Sequence, residues 1–315
     1  MLTALSVVCP IFAVIAAGFA CGRFGLLGPT AGSELNRFVV YLGLPALLFG
    51  VMADAKWSSL WQPGFIASFG IGVFVVFGGT LIYRVSTGHH LTDASIDGLN
   101  AGYANVGYIG FPLCELIFGH QSLALVTIAT IITISILFAI AIILVESSLQ
   151  AERRPAHLLW KVGRSLLRNP LLVAPVLGTV FAASGATMPA SIETFFKLLG
   201  GAASPCALVA LGLFIAEKRE TAETQNASSW LLVGLKLIVH PAVTWVLAFK
   251  VFSLPPALGH LAVVLAALPT GTGPFMLAEF YQREAVATSR AILVSTIGSI
   301  FTLTLYLYFT GVHTL

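Results

Sequence analysis

Apolar segments of about 18 residues or more recur along the whole of this 315-residue chain, and no long polar stretch interrupts them. A helix of that length crosses the hydrocarbon core of a bilayer, because it rises 1.5 Å per residue. Hydrophobic residues make up 57% of the chain and charged residues only 9%, which leaves too little polar surface for a soluble domain. The sequence therefore predicts an all-α polytopic membrane protein.

Hydropathy predicts ten transmembrane helices, here called spans one to ten. They lie near residues 4–22, 35–53, 60–83, 96–118, 122–145, 168–185, 195–216, 229–252, 257–281 and 288–311.

Basic residues concentrate in alternate loops of this arrangement. One set of loops and span ends holds Arg23, Arg37, Arg84, Arg153, Arg154, Lys161, Arg164, Arg168, Lys218, Arg219, Arg283 and Arg290. The opposite set holds Lys56, Lys197 and Lys250. Because cytoplasmic loops carry the excess of Lys and Arg, the loops after spans one, three, five, seven and nine are predicted to be cytoplasmic. We expect a multi-pass protein of the cell (inner) membrane with both termini outside.

An internal repeat divides the chain into halves. Four pairs of residues lie 160 positions apart, and a fifth pair lies 162 apart: Pro10 and Pro170, Pro29 and Pro189, Arg37 and Lys197, Pro45 and Pro205, then Pro112 and Pro274. Each half holds five spans, an odd number, so the second copy enters the membrane inverted. We predict a first repeat over residues 1–146, a cytoplasmic linker over 147–167 and a second repeat over 168–315. Inverted repeats are typical of secondary transporters.

Two spans at corresponding places are rich in Gly and Pro, which disfavour a continuous helix. Span four contains NVGYIGFPL (105–113), and span nine contains ALPTGTGPFMLAEFY (267–281). If both helices break, their extended stretches can cross, and the helix N-termini beside the crossing suit an anion. The predicted substrate-binding residues are Asn105, Gly107, Gly110, Pro112, Pro269, Thr270, Gly271, Thr272, Gly273 and Pro274. The alternative is a pair of proline-kinked helices without a ligand.

Ionisable residues within spans are costly and often functional. Lys236 lies inside span eight, with His240 one turn later, and Glu115 and Glu279 follow the two interruptions. We expect Lys236 to supply positive charge to the substrate or a relay, and a carboxylate to carry a coupling proton. Snorkelling or a buried structural pair is the alternative interpretation. The coupling ion could be H⁺ or Na⁺.

Enzymatic motifs are missing from the sequence. It contains no HExxH, no GxSxG and no Walker A loop, so neither an enzyme nor a nucleotide-driven pump is indicated. No metal site and no cofactor are expected. The expected partners are a small organic anion and the lipid bilayer, without nucleic acid.

These segments resemble the auxin efflux carrier family, which includes the plant PIN-formed carriers and short prokaryotic relatives. The resemblance lies in LNRFV (35–39) with Pro45, RNP (168–170), ALGLF (210–214), NVGYIGFPL (105–113) and LPTGTGPF (268–275). It implies a ten-helix fold in which spans one, two, six and seven form a scaffold and the other six a crossover domain. It also implies a carboxylate bound where spans four and nine cross, elevator-like movement and a homodimer.

The short central connection resembles the prokaryotic form of the family. The chain differs from the plant pattern at Leu48, just after Pro45, and at Thr272 and Gly273 in span nine, and it carries the acidic residues Glu115 and Glu279 beside the crossing. Malonate or malate is therefore expected as substrate in preference to auxin. Two alternatives stay open at this stage. One is a sodium-coupled symporter of the bile-acid type, and the other is a passive channel or a sensor.

Overall fold

The computed structural model describes residues 2–56, 60–149, 155–217, 226–283 and 285–312. Within these ranges every regular element is a helix, apart from one isolated antiparallel bridge. In chain order, the helices of this part of the chain are α1 (Leu2–Arg23), α2 (Ala31–Ala53), α3 (Pro63–Ser86), α4 (Leu91–Gly102), α5 (Val106–Phe118), α6 (His120–Ser148), α7 (Pro155–Leu167), α8 (Pro170–Ala183), α9 (Ala190–Ala216), α10 (Ser229–Val251), α11 (Pro256–Ala267), α12 (Gly273–Phe280) and α13 (Ala285–Thr310).

Seven of these helices are long and apolar enough to cross a membrane, namely α1, α2, α3, α6, α9, α10 and α13. They coincide with predicted spans one, two, three, five, seven, eight and ten. The prediction of an all-helical, polytopic membrane protein is confirmed at this level. The count of ten spans in two inverted repeats stays a prediction, since the other three predicted spans contain shorter helices.

Each of those three spans is interrupted or bent. Span four consists of α4 and α5, and span nine consists of α11 and α12. Span six consists of α8, which follows α7 after a bend of 62°. The side-chain oxygen of Asn169 accepts a hydrogen bond from the Leu171 N–H at 3.0 Å and caps the start of α8. The bend therefore lies where α8 begins with an asparagine N-cap, one of the residues preferred at this position.

Helix α7 occupies part of the segment predicted as a polar linker. Pro155 stands at its beginning, where a missing N–H costs nothing, and apolar residues follow at helical spacing. Arg153 and Arg154 themselves, like Trp57, Lys218 and Arg219, lie outside the described residues.

Three helices widen into a π-helical turn just before a proline. Proline has no N–H to donate to the carbonyl four residues earlier, and its ring crowds that carbonyl, so a wider turn relieves the clash. The turns and their prolines are Val39–Gly43 before Pro45, Val106–Gly110 before Pro112, and Leu235–Val239 before Pro241. Each of these prolines follows its turn by two residues, and they account for the wide turns in α2 and α5 and for the first of the two wide turns in α10.

Helix α9 packs lengthwise against α1 and α2, and α8 packs against the second half of α2. The contact between α1 and α9 depends on glycine. A Cβ on Gly18 would lie 2.8 Å from the Cα of Val209, and one on Gly212 would lie 2.6 Å from the backbone nitrogen of Phe19. Both distances are too short for a side chain, so the two backbones meet directly, as is common between membrane helices.

A second group of helices packs together and consists of α3, α4, α6, α10, α11 and α13. Inside this group the Arg84 Nε donates to the Asp97 Oδ2 at 2.5 Å, and both side chains are buried. The pair joins the end of α3 to α4. A buried charge pair of this kind holds its two helices in one arrangement, because either charge alone would be costly.

Candidate functional site

The interruptions between α4 and α5 and between α11 and α12 lie against each other. The Asn105 N–H donates to the Pro269 carbonyl at 2.9 Å, and the Gly271 N–H donates to the Tyr103 carbonyl at 3.1 Å. These two hydrogen bonds form a short antiparallel bridge between the halves of the chain. Each broken segment thereby satisfies part of the backbone of the other, which is the condition for non-helical backbone at membrane depth.

Asn105 is the N-cap of α5, and its side chain is oriented by the helix it caps. Its Oδ1 accepts from the Tyr108 N–H at 3.3 Å. The Nδ2 group of the same side chain is buried and has no hydrogen-bond partner within the described residues. A buried donor without a partner costs about 1–3 kcal/mol, so this amide is available to an acceptor on a ligand.

The second half-helix, α12, begins at the same crossing. Thr272 is its N-cap and makes no side-chain capping bond, and Pro274 stands in its first turn. The first N–H groups of a helix have no partner within the helix. Together, α5 and α12 direct two partial positive charges and an unpaired amide to one region.

The predicted glycines of span nine lie against an aromatic ring. A Cβ on Gly271 would be 2.8 Å from the ring of Tyr103, and one on Gly273 would be 2.6 Å from it. Tyr103 therefore fills the space that side chains at these positions would need. Glycine is required here for close approach of the two segments.

The predicted glycines of span four have more room. The nearest atom to a Cβ on Gly107 would be the Ile134 Cδ1 at 3.3 Å, and for Gly110 it would be the Leu268 Cδ1 at 3.2 Å. Both glycines lie in the π-helical turn that opens α5, and they bring α5 close to α6 and to the break in span nine.

Thr270, predicted to bind substrate, is fully engaged within the protein. Its Oγ1 donates to the Asn100 carbonyl at 2.8 Å, and its N–H donates to the Ser295 Oγ at 3.1 Å. Thr270 thus supplies the donor that the end of α4 lacks, where carbonyls have lost their helical partners. Its place in the structure is that of a cap for α4.

Asn100 was not singled out from the sequence. It is completely buried, and its Nδ2 donates to the Thr288 Oγ1 at 2.9 Å. Its Oδ1 has no partner within the described residues. A polar amide inside a predicted span could have been found by the rule that singled out Lys236, since buried polar groups in membranes are costly.

Two cavities lie at opposite ends of α2 and α9. The first, of ≈ 250 Å³, is called the Glu279 cavity. It is lined by the N-terminal end of α2, the C-terminal end of α9, and parts of α5 and α12, including Asn36, Tyr108 and Thr272. The second, of ≈ 280 Å³, is called the Glu115 cavity and is lined by the C-terminal end of α2, the N-terminal half of α9, and Pro112 of α5. The crossing lies between them.

The two predicted carboxylates are thus in different cavities. Glu115 is half exposed, and its Oε1 lies 3.0 Å from the His120 Nδ1. Glu279 is also exposed and lines the cavity named after it. Neither carboxylate lies at the crossing itself. A coupling proton on either of them would therefore be bound in a cavity and not beside the substrate.

Lys236 is the predicted ionisable residue that the structure buries completely. Its Nζ donates to the Ala266 carbonyl at 2.6 Å and lies 3.1 Å from the His240 Nδ1. Ala266 is in the last turn of α11, directly before the break in span nine. Lys236 therefore contacts the crossing from the side opposite to the N-termini of α5 and α12.

Among the residues that the structure describes, no group of three His, Cys, Asp or Glu side chains is arranged to hold a metal ion.

Comparison with known proteins gives one family over almost the whole chain. Residues 3–307 match the sequence family described as "Membrane transport protein". A protein of Rhizobium meliloti (strain 1021) named "Putative malonate transporter" is 27% identical over 304 residues, covering 96% of this chain and 94% of that protein. An "Uncharacterized transporter" of Escherichia coli (strain K12) is 24% identical over 305 residues, covering 95% of each.

A plant protein is similar over a shorter region. The "Probable auxin efflux carrier component 1b" of Oryza sativa subsp. japonica is 31% identical over 140 residues. The match covers 43% of this chain and 25% of the plant protein.

Proposed function

Since the chain belongs to the membrane transport protein family that includes the auxin efflux carriers, we propose that it is a secondary carrier of small organic anions. The substrate class is carboxylates. The substrate binds at the crossing of the two broken spans, beside Asn105, and is moved by an elevator-type alternating-access mechanism.

The observation that carries this proposal is the unpaired amide of Asn105 at the crossing. Its Nδ2 is buried without a partner in the described part of the chain, directly before the first turn of α5. A carboxylate oxygen is an acceptor that would pair with this donor and also favour the positive ends of α5 and α12. Within the described residues Asn105 has no contact with a cationic side chain, so the attraction for an anion beside it comes from oriented dipoles.

The arrangement of the two cavities supports alternating access. They open at opposite ends of α2 and α9, and α5 lines both. In this proposal α1, α2, α8 and α9 are the scaffold, and the helices from α3 to α6 and from α10 to α13 carry the crossing. Movement of the second group along α2 and α9 would widen one cavity and close the other, as in carriers with inverted repeats.

The size of the substrate follows from the size of the cavities. Each holds ≈ 250–280 Å³, which is enough for a dicarboxylate of a few carbon atoms with some water. The relative named for malonate transport supports a short dicarboxylate as the first substrate to test. Indole acetate tests the auxin-like alternative.

The proposal is tested by uptake of radiolabelled malonate, malate and indole acetate into proteoliposomes. We expect saturable uptake of at least one of them. Asn105→Ala should lower it by about 10–100-fold, the loss expected for one hydrogen bond to a charged group. Gln121→Ala is the matched control, because Gln121 is an exposed amide that donates to the Phe118 carbonyl.

Three outcomes would redirect the proposal. Flux that never saturates would indicate a channel, and binding without flux would indicate a sensor. A strict requirement for sodium would favour the bile-acid type of symporter. No uptake of any anion by folded, inserted protein would overturn the carboxylate proposal.

A further inference from the structure

The carbonyl end of α11 has lost the donor that an unbroken helix would give it. In a continuous helix the Ala266 carbonyl would accept from the N–H of Thr270, four residues later. That N–H donates to the Ser295 Oγ instead. The Lys236 Nζ takes its place at 2.6 Å. Lys236 is therefore the C-terminal cap of α11, where the helix dipole favours a cation.

Lys236 shares its environment with His240, one turn along the same helix. The two nitrogens lie 3.1 Å apart, and both side chains are fully buried. The other ring nitrogen of His240, Nε2, is buried and has no partner within the described residues. The Phe69 ring of α3 packs against the imidazole, with its centroid 6.3 Å from that of the histidine. The pair is closed off from water in this conformation.

No carboxylate neutralises the pair within the described part of the chain. The helices packed against α10 do carry other titratable side chains: Tyr83 and Arg84 on α3, Asp93 and Asp97 on α4, His260 on α11, and Arg290, Tyr306 and Tyr308 on α13. Asp97 is bound by Arg84, Asp93 lies 3.6 Å from Arg283, and His260 lies 2.7 Å from the Tyr306 hydroxyl. Asp97 and Asp93, the carboxylates on helices packed against α10, are therefore paired with arginines and not with Lys236.

Two positive charges at 3.1 Å would repel strongly in a buried site. The pair therefore holds one positive charge or none, and a single proton changes its state. With the proton, Lys236 donates to both the Ala266 carbonyl and the His240 Nδ1. Without it, the amine still donates to the carbonyl, but the cation that the end of α11 favours is gone.

We propose that Lys236 and His240 together bind the coupling proton of this carrier. The inference rests on the proposed anion transport and names its driving ion. The proton sits on the carbonyl side of the break in span nine, and the anion sits on the side of the N-terminus of α12. Each stabilises the other by charge across the break, so binding of one raises the affinity for the other, by thermodynamic reciprocity.

The burial of Lys236 and His240 determines when the proton can bind and leave during the transport cycle. The pair is sealed, so it exchanges its proton with water only when the helices that carry the crossing move. The proton enters from one side together with the anion, remains on the pair during the movement, and leaves to water on the other side. This is proton–anion symport, and it adds no chemical bond beyond the N–H that forms and breaks.

The test separates exchange from accumulation in proteoliposomes. Exchange of unlabelled for labelled malonate at equal pH needs only the carrier, whereas accumulation under a pH gradient needs the coupled proton. For the unaltered protein, one pH unit should drive up to about tenfold accumulation per coupled proton. In Lys236→Arg, whose charge is permanent and still caps α11, exchange should persist and gradient-driven accumulation should be lost.

Lys250→Met is the matched control, because Lys250 lies exposed near the end of the same helix. It should accumulate malonate like the unaltered protein, whereas His240→Gln, which removes one of the two nitrogens that share the proton, should reduce gradient-driven accumulation. Thermal unfolding of each variant in detergent establishes that it is folded.

Each outcome decides one question. If the unaltered protein exchanges malonate but a pH gradient drives no accumulation, the proton inference fails and the proposed transport stands. The same holds if Lys236→Arg and His240→Gln accumulate malonate as the unaltered protein does. If the unaltered protein exchanges none of the anions tested, the proposed function itself fails.

Discussion

The phenolic hydroxyl of Tyr108 on α5 donates a hydrogen bond to the side-chain oxygen of Asn36 on α2. Tyr108 therefore joins the half-helix α5 to α2. Both side chains line the Glu279 cavity, together with Thr272, the N-cap of the second half-helix α12. In the proposed division of the molecule, this contact spans the boundary between scaffold and moving helices.

Tyr108→Phe should favour conformations in which the Glu279 cavity is wider. Loss of one hydrogen bond is worth about 1 kcal/mol, so the equilibrium between conformations should shift about fivefold. We expect a cysteine introduced at Ser33, in the wall of that cavity, to react correspondingly faster with a soluble maleimide. Tyr41→Phe, at an exposed position, is the control. Equal reactivity of the cysteine in Tyr108→Phe and in Tyr41→Phe would show that the Tyr108–Asn36 hydrogen bond does not hold the cavity closed.

Gly273→Ala should impair folding and transport together. The added Cβ would lie 2.6 Å from the ring of Tyr103, and overpacking of this kind costs about 1–3 kcal/mol. Thermal unfolding in detergent should occur at a lower temperature, and uptake should fall. Gly201→Ala, with no atom within 4 Å of the new Cβ, should leave both unchanged. Partial recovery in Gly273→Ala combined with Tyr103→Leu would identify the ring as the cause.

Thr270→Val should destabilise the protein by removing the cap of α4. The hydroxyl that donates to the Asn100 carbonyl at 2.8 Å would be replaced by a methyl group, which costs about 1–3 kcal/mol at a buried site. Thr270→Ser keeps the donor and should be nearly as stable as the unaltered protein. Equal unfolding temperatures for the valine and serine variants would contradict the capping role.

Arg84→Gln should reduce the yield of folded protein. It leaves Asp97 charged and buried without its partner, a loss of about 3–5 kcal/mol. The double variant Arg84→Gln with Asp97→Asn removes both charges and should recover much of the stability. The comparison is made by size-exclusion chromatography and thermal unfolding. A double variant less stable than either single variant would show that the two side chains act independently.

The breaks in spans four and nine were predictable because proline and glycine disfavour a helix at their own positions, whatever their tertiary contacts. Pro269, Pro274, Gly271 and Gly273 disfavour a helix wherever they stand, and the structure has no helix between Ala267 and Gly273. The crossing was expected only as a consequence of two breaks at corresponding places.

The partners at the site could not be read from the sequence. Tyr108 meets Asn36 across 72 positions, and Asn100 meets Thr288 across 188. No local pattern reports such distances. The same holds for Thr270, whose hydroxyl donates to the Asn100 carbonyl 170 positions earlier in the chain.

The hydrogen bonds of the crossing set an order for biosynthesis. The N–H of Asn105 and the carbonyl of Tyr103 bind partners made about 165 residues later, which is a delay of roughly 8–33 s at 5–20 residues per second. Until then the first half carries polar backbone groups that lipid cannot satisfy. The nascent first half must therefore keep this segment beside water, the translocation machinery or a chaperone until the second half arrives.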